Sequence, residues 1–314
     1  MSSGGSAPLV VDQMRRALRL AHERRGSFED IRRREALVAA RRRALIPAVA
    51  ETCGGVGTLR VRRGTTGGPG VIVFAHGGGF VTGSPELCLP LAVRLAESSG
   101  CDVVLPRYRL APEHPAPAAI DDVTAVVVAV SAALRAADGA SGGVVLAGCS
   151  AGGGIALSAA RALRGTDAAP RGLVLTSPWV DLRLLTPTLS RAGRLDPAVT
   201  SDELGRCADA YRGPLPVTDP HVSPVLGDLP GLPPALVQVG TDEALHGDAA
   251  LLTARLRADG VDCELREWPA MIHNWQFFLE SLAEAGAAVD EAARWCRERL
   301  ARPPGGPGGR GDAR

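Results

Sequence analysis

The sequence predicts an α/β protein with a mostly parallel central sheet and helices on both of its faces. Short runs rich in β-branched residues recur along the chain, and longer stretches of helical pattern separate them. The runs are almost continuously apolar, which is typical of strands buried on both faces of a parallel sheet. Their alternation with helices indicates βαβ units. The predicted strands lie at 71–75, 102–105, 144–147, 173–175 and 236–239, with a further strand-like run at 263–267.

Length, charge and cysteine content exclude several classes of function. A chain of 314 residues buries about 75% of the surface that its unfolded form exposes, which is enough for a substantial core. The net charge is +1, with 35 basic and 34 acidic residues. Because there is no basic excess to neutralise phosphates, we expect no nucleic-acid partner. The seven cysteines form no CxxC pair and no regular framework, which argues against a structural zinc site and a disulfide scaffold.

The apolar segments predict neither secretion nor membrane insertion. The first residues are small and polar, with no basic stretch leading into an apolar segment. No uninterrupted apolar run approaches the roughly 18 residues that cross a bilayer. We therefore expect a cytoplasmic protein with reduced thiols and no membrane partner.

Two segments interrupt the alternation of strands and helices and are predicted to form a cap. The first carries two arginine-rich amphipathic helices, divided near Ser27, which with Asp30 matches an N-cap arrangement. The second is punctuated by proline and contains a predicted helix near 201–211. The final residues are rich in proline and glycine and are predicted to be disordered. The predicted division is cap helices at 1–46, a first core segment at 47–182, a cap insertion at 183–225, a second core segment at 226–303 and a disordered tail at 304–314.

The motif Gly148-x-Ser150-x-Gly152 follows one buried strand and precedes a helix. This is the pattern of a nucleophile elbow, in which a serine occupies a strained turn and projects its hydroxyl above the sheet edge. Glycine is abundant in this chain, with 38 residues, so the motif alone is a modest signal. Its position directly after a buried strand strengthens the prediction that Ser150 is the nucleophile.

A second glycine motif, 76–79, directly follows the strand at 71–75. Bare glycine backbone lets successive N–H groups approach a negative oxygen closely, as a tetrahedral intermediate requires. We expect Gly78, Gly79 and Ala151, the residue after the nucleophile, to form an oxyanion hole. His76 and Gly77 are expected to support this loop. A flexible phosphate-binding loop is the alternative, but no GxGxxG or GxxxxGK context accompanies it.

In hydrolases with a nucleophile elbow of this kind the base follows the nucleophile along the chain. His273 fits best of the three histidines that lie after Ser150. It falls in a short loop between the strand-like run 263–267 and the last predicted helix. His221 lies in the cap insertion, and His246 has the position of an ordinary helix-face residue. His273 is therefore the predicted base.

The acid that orients the base is predicted to be Asp242. It follows the strand at 236–239 through Gly240-Thr241, which places it at the carboxyl edge of the sheet. Glu243 is the competing candidate, and Asp242 could instead be a helix N-cap. We expect the Asp242 carboxylate to meet His273.

With these residues assembled, the chain resembles the hormone-sensitive-lipase-like branch of α/β hydrolases, the bacterial family IV carboxylesterases. The resemblance covers roughly residues 40 to 300 and rests on several separate motifs in the expected order. These motifs lie at 76–80, 108–115, 148–153, 177–181, 219–224, 240–243 and 273–276.

The resemblance implies an α/β-hydrolase fold and a serine hydrolase that needs no cofactor or metal and acts on small acyl esters. It also implies a small helical cap built from the two interrupting segments. Glu113, His114 and Asp181 would then fix the loops around the site. An exposed edge strand at 262–267 suggests a possible homodimer.

One position departs from the family pattern. The family usually carries an acidic residue before the nucleophile, and this chain has Cys149. Either the cysteine fills the space as a small, mildly apolar side chain, or the site is retuned for a particular metabolite.

The predicted function is cleavage of short- to medium-chain acyl esters through a Ser-His-Asp triad and an acyl-enzyme. One alternative is cleavage of an amide or thioester, for example deacetylation of a specialised metabolite. A less favoured alternative is a lyase or a binding protein on the same fold.

Overall fold

A computed structural model describes residues 7–22, 26–62, 70–138, 142–189, 196 and 198–301. The predicted tail at 304–314 lies outside the described residues, as do parts of the predicted cap segments.

The described residues form one eight-stranded sheet in the order β1-β2-β4-β3-β5-β6-β7-β8. Strands β3 to β8 pair in parallel, whereas β2 pairs antiparallel with both β1 and β4. The α/β-hydrolase fold predicted from the sequence is therefore confirmed. The strands are β1 Val49–Cys53, β2 Val56–Val61, β3 Gly70–Ala75, β4 Asp102–Pro106, β5 Gly143–Cys149, β6 Gly172–Thr176, β7 Ala235–Gly240 and β8 Cys263–Trp268.

Helices cover both faces of this sheet. Successive β3 residues point to opposite faces, so that Val71 and Val73 join one apolar core and Ile72 and Phe74 join the other. Helices α4, α5 and α7 cover the first face, and α3 and α8 cover the second. The helices in the described chain are α1 Ala7–His22, α2 Phe28–Leu45, α3 Leu89–Ser99, α4 Ala118–Asp138, α5 Ala151–Leu163, α6 Ser201–Arg212, α7 His246–Ala258 and α8 Ala283–Ala301.

Helices α1, α2 and α6 lie in the two segments predicted to form the cap, and residues of all three line the cavity that contains Ser150. Ser27 and Asp30 make the predicted capping box at the start of α2. Helix α1 buries Val11 and Met14 in a small core with Ile272, which is the neighbour of His273. The cap therefore packs directly on the loop that carries the predicted base.

The hairpin of β1 and β2 is the main element that the sequence analysis missed. Cys53 pairs with Val56, so the hairpin turn consists of Gly54 and Gly55 alone. A Gly-Gly pair between two strands is a known signal for a two-residue hairpin, and it was available in the sequence.

Candidate active site

Ser150 lies in a sharp turn between β5 and α5. Its φ is +53°, a value that costs a non-glycine residue steric strain and is typical of strained functional turns. The turn is held from three sides, because the Ser150 N–H donates to Thr176 and the Ser150 carbonyl accepts from Gly153 and Trp179. A Cβ at Gly152 would lie 2.2 Å from the carbonyl oxygen of Ala75. The flanking glycine is therefore a steric requirement of the elbow.

The imidazole of His273 meets the serine hydroxyl. Ser150 Oγ and His273 Nε2 are 2.9 Å apart, although the two residues are 123 positions apart in sequence. Both side chains are almost completely buried. The structure therefore brings together the predicted nucleophile and the predicted base at hydrogen-bonding distance.

The carboxylate that meets His273 belongs to Glu243, and the prediction that Asp242 would do so is wrong. Glu243 Oε2 lies 2.9 Å from His273 Nδ1, and Glu243 Oε1 accepts a hydrogen bond from the N–H of Gly240 at 2.7 Å. The Glu243 side chain is fully buried. It can therefore hold the imidazole with Nδ1 protonated and Nε2 free to accept from the serine.

Asp242 points away from the triad because of the turn that follows β7. The N–H of Glu243 donates to the carbonyl of Gly240, so that Asp242 occupies a corner of the turn. Its carboxylate, about one quarter exposed, pairs with Arg15 of α1. Asp242 thus ties the first cap helix to the loop that carries Glu243.

Asp196 is a site residue that the sequence analysis missed. It lies in the cap insertion, is completely buried, and accepts a hydrogen bond from the backbone N–H of His273 at 3.1 Å. An isolated aspartate in a proline-punctuated segment gave no pattern from which this contact could be predicted.

The ligand atoms of Asp196, Glu243 and His273 lie within 4.8 Å of one another, a spacing that a metal ion could bridge. His273 Nδ1 is directed at Glu243, and the Asp196 oxygens accept from backbone N–H groups. These atoms are therefore already used in hydrogen bonds within the protein.

The glycine loop after β3 lines the same cavity as Ser150. Gly78 and Gly79 both border this cavity. Gly78 has a φ of +123°, and a Cβ there would lie 2.2 Å from the carbonyl oxygen of Thr82. Ala151 is the first residue of α5, where backbone N–H groups have no partner within the helix. These positions are compatible with the predicted oxyanion hole.

His76 and Tyr108 support the glycine loop from below. The two rings stack with centroids 4.1 Å apart, and the Tyr108 hydroxyl donates to the His76 carbonyl at 2.7 Å. Burial lowers the pKa of His76 to about 4, so the ring is neutral near pH 7. Gly77 packs against Cys149, since a Cβ at Gly77 would lie 3.3 Å from the Cys149 sulfur.

Arg32 of α2 joins the cap to the loops around the glycine motif. It donates to the carbonyls of Val81 and Ala111 and forms a two-pronged ion pair with Glu113. The Arg32 hydrogen bonds lower the pKa of Glu113 to about 2. Glu113 therefore lies where a residue that supports the loops would lie.

Asp181 is buried at the base of the cap insertion, where it forms an ion pair with Arg183. Its backbone N–H donates to the carboxylate of Asp248 at 2.9 Å. Burial raises the pKa of Asp248 to about 7. The contacts of Asp181 fix the loop that begins the insertion.

Cys149 is completely buried beneath the elbow, in the core shared with α3 and α8. Its thiol contacts Cys88, and this contact together with burial raises the pKa of the Cys88 thiol well above its usual value. Cys149 has Cys88 and Gly77 as neighbours. It does not line the cavity above Ser150. It borders instead a separate cavity of about 230 Å³, which His76, Cys88 and Arg42 also line.

We expect Cys149→Asp to lower the free energy of unfolding by about 2 kcal/mol or more relative to Cys149→Ala, because a carboxylate would be buried beside Cys88. Urea denaturation monitored by circular dichroism measures the difference. An aspartate variant as stable as the alanine variant would show that this pocket accepts a charge.

A cavity of about 360 Å³ opens above Ser150. Its walls are mostly apolar and include Leu18 of α1, Phe28 of α2 and Leu204 of α6. Glu35 and Glu203 add carboxylates to the wall. The size and lining fit a small-molecule site whose specificity is set by the cap.

Comparison with known proteins gives consistent results. A family model described as the α/β-hydrolase fold matches residues 72–277. An acetyl-hydrolase of Streptomyces hygroscopicus is 37% identical over 229 residues, which are 72% of this chain and 75% of that protein. An esterase of Acinetobacter venetianus is 32% identical over 228 residues, which are 72% of this chain and 74% of that protein.

Solved structures extend the similarity to nearly the whole chain. The crystal structure of an esterase from the bacterial hormone-sensitive lipase family superposes with a TM-score of 0.82 at 31% identity. The match covers 96% of this chain and 100% of that chain. On its sequence, its sheet topology and these matches, the chain belongs to the α/β-hydrolase fold family, in the branch of the bacterial hormone-sensitive-lipase-like esterases.

Proposed function

We propose that this protein is a serine hydrolase that cleaves short- to medium-chain acyl esters through an acyl-enzyme. The observation that carries the proposal is the buried line of hydrogen bonds from Ser150 Oγ through His273 to Glu243, with 2.9 Å at each step. A nucleophile, a base and an orienting carboxylate in this arrangement are the requirements of acyl transfer.

In the proposed acylation step, Ser150 Oγ attacks the acyl carbonyl while His273 Nε2 accepts the hydroxyl proton. The imidazolium that forms is stabilised by Glu243, which holds the Nδ1 proton. His273 then donates its new proton to the leaving alcohol, and the acyl group stays on Ser150 as an ester. A water molecule activated by the same imidazole releases the acid and restores the free serine.

The backbone N–H groups of Gly78, Gly79 and Ala151 are proposed to bind the oxyanion of each tetrahedral intermediate. Gly78 and Gly79 line the cavity, and Ala151 begins α5 directly after Ser150, which supports this role. Donors that are already oriented stabilise the developing charge without reorganisation.

An acyl-length series tests this function and the extent of the pocket. With p-nitrophenyl esters, each methylene that enters the apolar cavity is expected to raise kcat/KM about fourfold, because burial of a methylene stabilises by about 0.8 kcal/mol. The rise should stop when the cavity of about 360 Å³ is filled. Labelling of Ser150 by a fluorophosphonate probe is the accompanying assay. No labelling and no hydrolysis of any ester would overturn the proposed function.

Cleavage of an acetyl group from an amine is the second candidate. Removal of an acetyl group is favoured by the similarity to a protein named acetyl-hydrolase, a name that does not state which bond is cleaved. The same triad serves both reactions, so a panel of matched acetyl esters and acetylated amines decides between them. A pure binding protein is disfavoured because the hydrogen-bonded triad is complete.

We further propose a small acyl compound as the substrate and the cytoplasm as the location of the protein. A homodimer is the proposed assembly. None of the described helices has the length and apolar character needed to span a membrane.

A further inference from the structure

Asp196 lies in the cap insertion, yet its carboxylate reaches both core loops of the triad. Oδ2 accepts from the backbone N–H of His273 at 3.1 Å and from that of Ala244, the neighbour of Glu243, at 3.3 Å. Oδ1 accepts from the N–H of Ala198 at 3.0 Å. One buried side chain therefore fixes the backbone on both sides of the Glu243–His273 pair.

The same carboxylate lies close to the imidazole that becomes charged during catalysis. The ligand atoms of Asp196, Glu243 and His273 are within 4.8 Å of one another. Burial and the neighbouring Glu243 carboxylate raise the pKa of Asp196, whereas His273 and the backbone donors from Ala198 and Ala244 favour its charged form. Three N–H groups directed at its oxygens are the partners that an ionised carboxylate needs.

We propose that Asp196 is a positioning residue through which the cap insertion holds His273 in place and stabilises its protonated form. The inference rests on the proposed serine-hydrolase function. It assigns a second carboxylate to the site, supplied by the cap, next to the one supplied by the core.

Other charged groups around His273 remain unchanged in the test below. Glu243 faces it from the loop after β7. The Arg15–Asp242 ion pair lies beside that loop and has no net charge. Glu35 of α2 and Glu203 of α6 line the cavity that His273 borders.

The test compares the pH dependence of Ser150 labelling by a fluorophosphonate probe in the wild type and in Asp196→Asn. Labelling requires neutral His273, so its rate falls at acidic pH. Removal of a carboxylate within about 4 to 6 Å lowers a histidine pKa by about 1 or more. In Asp196→Asn, the acidic limb of the plot of labelling rate against pH is therefore expected to move by about 1 pH unit to lower pH. At the plateau, kcat/KM for p-nitrophenyl acetate is expected to fall on the order of 10- to 100-fold, because an amide offers one acceptor oxygen in place of two and its NH2 group opposes a backbone N–H, which loosens the contact to His273.

Asp122→Asn is the matched control. Asp122 is also a buried carboxylate that accepts a backbone N–H, that of Arg109 at 2.8 Å, but it lies on α4 and does not line the substrate cavity. The acidic limb of the labelling rate in Asp122→Asn should coincide with that of the wild type. An unmoved limb in folded Asp196→Asn, or an equal movement in Asp122→Asn, would overturn the proposal.

Asp196→Glu is the second variant, to be used if Asp196→Asn does not fold, as judged by circular dichroism. It keeps the charge but displaces the carboxylate, so kcat should fall while the acidic limb stays in place. A displaced limb in this variant would also overturn the proposal. If the wild type itself is not labelled at Ser150, the proposed function fails, and that result is distinct from a failure in the variants alone.

Discussion

Replacing Ser150 by alanine is expected to lower kcat for p-nitrophenyl ester hydrolysis by about 10⁶-fold, because a triad acts as a unit. The hydroxyl is the only group at the elbow that can form the acyl-enzyme in this mechanism. His273→Ala should have an effect of about the same size, and the double variant should be little worse than either single one. Steady-state kinetics with active-site titration of the wild type measure all three.

The alanine variant should keep its fold, since the main-chain hydrogen bonds of the elbow do not involve the hydroxyl. Relief of a strained serine can even stabilise such a variant slightly. Full loss of fluorophosphonate labelling with an unchanged circular dichroism spectrum is the expected result. A folded Ser150→Ala protein that retained a tenth of the wild-type kcat would contradict the mechanism.

The sequence was sufficient to predict the elbow and the base because each lies at the end of a regular element. Ser150 follows a buried strand and precedes a helix, and His273 lies between the last strand and the last helix. Parallel strands end at the same edge of a sheet, so residues at these ends converge whatever the sequence between them. This rule does not depend on side-chain detail.

The acid could not be assigned in the same way, because Asp242 and Glu243 are adjacent and only the turn after β7 separates their directions. The hydrogen bond from the Glu243 N–H to the Gly240 carbonyl closes a tight turn that directs the two side chains differently. Strand periodicity ends at Gly240, so the pattern could not show which carboxylate faces inward. The longer glutamate side chain reaches both the Gly240 N–H and His273.

The contacts between the cap and the loops of the core could not be predicted from the sequence, for a different reason. Arg15 reaches Asp242, and Asp196 reaches the backbone of His273, across more than 75 residues in each case. Such pairs depend on how separate segments dock, and neither composition nor periodicity records that. The sequence did predict helices in these segments, and Ser27 with Asp30 marked the start of one of them.

Replacing Glu243 and Asp242 one at a time by the corresponding amide shows which of the two carboxylates acts on His273. Glu243→Gln is expected to lower kcat about 10⁴-fold, because a neutral amide neither stabilises the imidazolium nor fixes the tautomer with Nδ1 protonated. Asp242→Asn removes only a partly exposed ion pair with Arg15. Such a pair contributes about 1 kcal/mol or less, so kcat/KM should change about fivefold or less. Steady-state kinetics on one p-nitrophenyl ester compare the two variants directly.

Glu243→Asp distinguishes a catalytic carboxylate from one that only supports the loop. Shortening the side chain keeps the charge but withdraws it from His273 Nδ1, which it now meets at 2.9 Å. An intermediate kcat, above that of Glu243→Gln and below that of the wild type, is therefore expected. Equal losses in the two variants would mean that the charge acts only from its place beside Nδ1, because Glu243→Gln keeps the position and Glu243→Asp keeps the charge. If Asp242→Asn lost the 10⁴-fold expected of the acid, the carboxylate assignment would have to be reversed, because the loop after β7 would then rearrange before it acts.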